Sequence, residues 1–251
     1  MSSTTPLTDA INALTTYANE TTGKSDTTLS DAVESLVDGY GGGGGGLSFA
    51  DYCNGLADGT LDIIIDTSTT KFPPNTRLFN TQKSLKSVSF TALTSTEGSD
   101  YMFRNCTNLE NVSFPVLTRL GQANAYFEGC SKLTSVDLKT VNDGYIGSSM
   151  FRNCTLLAFI DLGAPSVRIN SGAFIGCSSL KTVVLRKANS VLPLYNINVF
   201  ENTPFDSGGT GGTLYVPQSL ISSYQSANNW STILGYANNS IEAIEGSIYE
   251  I

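Results

Sequence analysis

The stretch FEGCSKLTSVDL at residues 127–138 decides the fold, because FIGCSSLKTVVL at residues 174–185 repeats its pattern. Working outward, phenylalanines at 79, 103, 127, 151, 174 and 200 are spaced by 24, 24, 24, 23 and 26 residues, the period of a solenoid. The other positions keep the register. Six residues after each of the first five Phe stand Leu85, Leu109, Leu133, Leu157 and Leu180, and nine after stand Val88, Val112, Val136, Ile160 and Val183. Eleven after stand Phe90, Phe114, Leu138, Leu162 and Leu185, and three after stand Gln82 and then Cys106, Cys130, Cys154 and Cys177.

The last two apolar residues of Leu-x-x-Val-x-Leu lie two apart, so on a short strand they point into the coil while the residues between them point out. The Phe at the opposite end of the unit suits a short helical turn packing back on the strand. One unit cannot bury its own face; stacking units at the ~4.8 Å strand spacing joins the Leu columns into one core. Covers are expected at both ends. Ahead of the first Phe, Phe49, Tyr52 and Leu56 fall in a predicted helix and LDIIID at residues 61–66 reads as a strand. Behind the last, LYVP at residues 214–217 reads as a strand and residues 218–225 as a helix, with Trp230, Ile233, Ile241 and Ile244 as apolar anchors.

The leading segment is different. Residues 1–40 predict two short amphipathic helices, one capped by Thr5 with Pro6 at its first position, the other capped by Thr28 with Asp31 in a capping-box arrangement. Helices this short are marginal alone, so they either self-associate or order only transiently. Gly41 to Gly46 is a flexible linker; Leu47 and Ser48 after it exclude a phosphate-binding loop, which needs Lys and then Ser or Thr. The expected division is therefore 1–40 helical segment, 41–46 linker, 47–78 N-terminal cap, 79–213 repeats and 214–251 C-terminal cap. Met1 to Leu7 lacks a basic region followed by an apolar one, so it does not read as a secretory signal.

Composition narrows the function. Hydrophobic residues make up 40% of the 251, enough for a core. With 14 Lys plus Arg against 22 Asp plus Glu, the net charge of -8 disfavours nucleic acid and anionic lipid as partners. No stretch approaches the ~18 apolar residues of a membrane helix. The chain has no His, which removes Ser-His-Asp and Cys-His nucleophiles and His-ligated metal. The cysteine column lacks the paired spacing of a zinc site, and its side chains run parallel, so the four read as small buried hydrophobes; Cys53 stands outside the column. No cofactor or metal is expected.

FEGCSKLTSVDL and FIGCSSLKTVVL resemble the repeat of BspA-type leucine-rich proteins, and GTLYVPQSLISSY at residues 212–224 with Trp230 resembles the unit that closes those repeats. The resemblance spans roughly residues 60–245 and implies a leucine-rich-repeat solenoid of short parallel strands and short helical turns, capped at both ends and preceded by the N-terminal helical segment. It also implies a non-enzymatic protein- or glycan-binding module of the adhesion type, at a cell surface, outside the cell or on a virion. The helices and glycine run are similar to the leading segments of some phage tail-associated repeat proteins, which implies a structural alternative with chains assembled through residues 1–40. A glycan-acting enzyme is the third reading, resting on Asp137 and Asp161 as neighbouring carboxylates placed to pair for acid–base work or to hold Ca2+.

Partners are expected on the strand positions that point outward, which a ladder holds in a fixed array. The expected patch is Asn111, Asp137, Phe159 and Asp161, with Lys139 and Arg186 at its edge. Phe159 is an aromatic where solvation favours a polar residue, so it is either a recognition anchor or covered by a neighbouring loop.

Overall fold

A computed structural model describes residues 61–65, 79–97, 99–163, 168–186 and 189–250. The two helices expected in residues 1–40, the glycine run, the helix expected around Phe49 to Leu56 and Cys53 lie outside these residues.

The strands among the described residues are β1 Leu61–Ile65, β2 Leu85–Phe90, β3 Asn111–Ser113, β4 Arg119–Leu120, β5 Ser135–Val136, β6 Asp143–Gly144, β7 Phe159–Asp161, β8 Thr182–Val184, β9 Thr213–Val216 and β10 Ser240–Ala243, of which β2, β3, β5, β7 and β8 lie in the Leu-x-x-Val-x-Leu segments. All pair in parallel. One sheet runs β1-β2-β3-β5 and another β10-β9-β8-β7, and a parallel bridge from Asp137 to Asp161 joins them into a single ladder of successive coils. A second ladder follows the return of each coil, with β4 beside β6 and bridges from Ser95 to Arg119, Ile146 to Ile169 and Ile169 to Leu194.

The Phe end of each coil makes a third stack. The N–H groups of Phe103, Phe127, Phe151 and Phe174 donate to the carbonyls of Tyr126, Met150, Ala173 and Val199 on the following coil at 2.8–3.0 Å. Because these backbone groups point along the solenoid axis, the helical element is reduced to single turns, such as Cys130 N–H donating to Phe127 O at 3.0 Å. The turns at Phe103, Phe127, Phe151 and Phe174 are each entered and left through a left-handed residue: Tyr101 and Asn105, Ala125 and Gly129, Ser149 and Asn153, Gly172 and Gly176. Gly129 and Gly176 have φ of +77° and +74°, and a Cβ there would also meet the Oδ1 of Asn105 or Asn153 on the preceding coil at 2.4 Å.

Stacking buries every Leu of the column, Leu85 through Leu180. The six phenylalanines pile face to face with centroids 5.2–5.4 Å apart, from Phe79 to Phe200. The thiols of Cys106, Cys130, Cys154 and Cys177 are buried beside this pile, each donating to the carbonyl of a Phe in the preceding coil: Phe79, Phe103, Phe127 and Phe151. Burial pushes the Cys177 thiol up to about 12 and those of Cys130 and Cys154 well above the ordinary value, so all three stay protonated at neutral pH.

The C-terminal end closes the pile. A 3-10 turn at Gln218–Leu220 leads into α1 Ile221–Ser226, and α2 covers Trp230–Leu234. Trp230 lies 5.9 Å from Phe200 and donates its indole N–H to Leu192 O at 2.7 Å, while the Leu192 N–H donates to the Tyr224 hydroxyl at 2.9 Å. One loop residue thus has both backbone groups satisfied by the closing unit, as a buried backbone requires.

Candidate recognition surface

The register aligns the outward residues in two columns. The first holds Asp62, Ser87, Asn111 and Ser135, then Phe159, Thr182, Thr213 and Ser240. The second carries Asp137, Asp161, Val184, Tyr215 and Glu242 on adjacent rungs. Both columns have one backbone geometry, yet their exposure changes midway. Asn111, Ser135 and Asp137 are exposed, with Lys139 exposed beside them and Ser87 half-buried, whereas Phe159, Thr182 and Tyr215 are half-buried and Asp161 and Val184 are buried, before Glu242 is exposed again at the last rung.

The cause is the C-terminal tail. After β10, Ile244 is buried and the chain folds into a turn in which the Ser247 N–H donates to Ile244 O at 3.0 Å and the Tyr249 N–H donates to Ser247 Oγ at 3.1 Å. This turn lays the Tyr249 ring against Phe159, centroids 5.3 Å apart and planes 15° from parallel, with the Tyr215 ring edge-on at 4.7 Å. Burial, then the neighbouring Tyr249 and Glu242, raise the Tyr215 hydroxyl above its usual range.

Arg186 ties the tail down. Its Nη2 donates to Tyr249 O at 2.9 Å, its Nε donates to both oxygens of the Asp161 carboxylate at 3.0 and 2.9 Å, and Nη2 lies 2.8 Å from Asp161 Oδ2 in an ion pair. Asp161 Oδ1 also accepts from the Gly163 N–H at 3.2 Å. Asp137 makes the same local contact, accepting from the Lys139 N–H at 3.2 Å, and its carboxylate faces solvent. A shared cation or proton between the two aspartates therefore meets a guanidinium already seated on one of them.

The six residues expected to form one patch are thus divided. Asn111, Asp137 and Lys139 lie on the open part of the strand face; Phe159, Asp161 and Arg186 lie beneath the tail. Phe159 sits under a neighbouring segment, the second of its two expected settings. Tyr215 and Tyr249 were not expected at the site. Tyr215 could have been placed by extending the outward register one rung past Val184, but nothing periodic marks Tyr249.

The turn side carries a polar groove of about 630 Å3 lined by Asn80, Tyr101, Arg104, Asn124, Glu128 and Ser148, with Arg104 Nε bonded to Glu128 at 2.7 Å. Among the described residues no three His, Cys, Asp or Glu are grouped to hold a metal ion, and no helix is long and apolar enough to cross a membrane.

The family profile agrees with this architecture. Residues 63–204 match the profile of the BspA type leucine rich repeat region, in six copies. A solved leucine-rich repeat protein from Bacteroides ovatus ATCC 8483 is similar at 23% identity and a TM-score of 0.48, over 73% of this chain and 42% of that one. The chain thus spans less than half the length of that protein. No curated protein matches the chain.

Proposed function

Because the chain belongs to the BspA-type leucine-rich repeat family, whose repeats mediate protein–protein interaction, we propose that its strand face is a non-enzymatic recognition surface for a protein or glycan displayed outside the cell. The observation that carries this reading is the open half of the ladder. There Asn111, Ser135, Asp137 and Lys139 are exposed on two successive coils whose backbones are bonded to one another. Side chains held this way lose less freedom on binding than loop residues do, and the mixture of amide, hydroxyl, carboxylate and ammonium offers both donors and acceptors. Adhesion is the role such a preorganised face serves.

The test uses binders selected against the intact chain from a displayed protein library and an immobilised glycan panel. Replacing Asn111, Asp137 and Lys139 by Ala together should weaken the selected binders at least tenfold, ~1.4 kcal/mol, while melting is unchanged. Binding that survives the triple replacement moves the site off the strand face.

A further inference from the structure

We infer that the part of the strand face between Phe159 and Tyr215 is a docking slot for an aromatic residue on a peptide segment of a protein partner, and that Tyr249 is its intramolecular occupant. The inference rests on the strand face being a recognition surface and adds what the covered half recognises.

Three observations carry it. The slot has two aromatic walls on different rungs, Phe159 stacking on the inserted ring at 5.3 Å and Tyr215 meeting it edge-on at 4.7 Å. These are the geometries that favour aromatic pairs. Next, Arg186 is gripped by Asp161 through both Nε and Nη2, which fixes the guanidinium plane and aims Nη2 at Tyr249 O. That acceptor is a main-chain carbonyl, which every peptide carries, so the slot reads an aromatic side chain together with backbone rather than anything peculiar to this tail. Third, the occupant is held lightly. Ile248, adjacent to Tyr249, is 88% exposed, and apart from the Tyr249 contacts the hydrogen bonds of residues 246–250 among the described residues are made within the tail and to Ile244. The apolar anchors of the closing unit, Trp230, Ile233 and Ile244, all precede it.

A segment tethered this closely competes at an effective concentration of order millimolar, so the intact chain admits a peptide partner only when that partner outcompetes the tail. Val184 fits the same account: it is fully buried although its register position points outward between Asp161 and Tyr215.

The experiment compares the intact chain, a chain ending at Gly246 and the full-length Tyr249→Ala variant. The probe is the acetylated heptapeptide EGSIYEI, residues 245–251 of the chain itself, alongside the same peptide with Ala for Tyr. Amide resonances of Phe159, Thr182 and Tyr215 should shift saturably with the Tyr peptide in the shortened chain and in Tyr249→Ala. The intact chain should respond at least tenfold more weakly, and the Ala peptide should leave all three unmoved. Arg186→Ala in the shortened chain should weaken the response. Absence of a saturable shift in both tail variants, or an equal response to the Ala peptide, overturns the proposal. So does unfolding of both variants, which would make the tail a structural closure, or a concentration-dependent dimer of the intact chain that the shortened chain cannot form, which would make a second copy the occupant. Failure here leaves the Asn111, Asp137 and Lys139 result standing, because that triple replacement reads the open half.

Discussion

Asp137 and Asp161 occupy the same register position on neighbouring rungs, bridge to one another through the backbone and each accept an N–H from two residues ahead. One is exposed and the other buried beneath a guanidinium and a tyrosine. The difference teaches that a repeat fixes where a side chain starts and which way it leaves the sheet, but not what covers it. Exposure on the strand face is decided by elements outside the repeat.

The largest expected effect tests what the two halves share. Leu133 lies under the open half and Leu157 under the covered half, both fully buried, so Leu133→Ala and Leu157→Ala should each cost about 2–5 kcal/mol in denaturant unfolding. A loss under about 0.5 kcal/mol at either position, the scale of a surface change, would mean the halves do not rest on one core.

The next effect separates the halves. Asp161→Ala removes both bonds to Arg186 and should cost about 1.5–3 kcal/mol, the scale of hydrogen bonds to charged groups, whereas Asp137→Ala should stay within about 0.5 kcal/mol. Equal costs would erase the contrast between the two aspartates. Phe159→Ala should lose roughly 0.5–1.5 kcal/mol from the Tyr249 stacking on top of the area it uncovers; Asn111→Ala, at the same outward position two rungs away, should lose almost nothing. Similar melting of these two variants would show that the tail does not rest on Phe159.

The smallest effect concerns the leading segment. Removal of residues 1–46 takes away none of the described core, so both halves should keep their melting temperature, and limited proteolysis of the full chain should cut in or near the glycine run. A large drop in melting temperature would assign residues 1–46 to the solenoid.

Much of the fold was legible in the chain because it is periodic. The 24-residue spacing of Phe79, Phe103 and Phe127 places Leu, Val and Cys at fixed offsets, and each offset becomes a column that must be buried if coils stack. The turns were less legible. Their backbone groups bond to the next coil, so the left-handed residues beside each Phe, which range from Gly to Tyr and Ser, follow from stacking rather than from local propensity.

The candidate surface divides along the same line. Its outward columns were readable from the alternation of the strands, which reaches every residue inside the repeat. That Phe159, Asp161 and Arg186 are covered was not, because the covering residue lies 63 positions beyond Arg186, in a tail with no repeat of its own. The sequence by itself determined the period, the core columns and the direction of each strand side chain, since steric alternation and the need to bury apolar stripes act locally and recur. Only the tertiary structure decided which part of the face is open, since a contact between Tyr249, Phe159 and Arg186 exists once the completed ladder brings the closing unit back across its own strands.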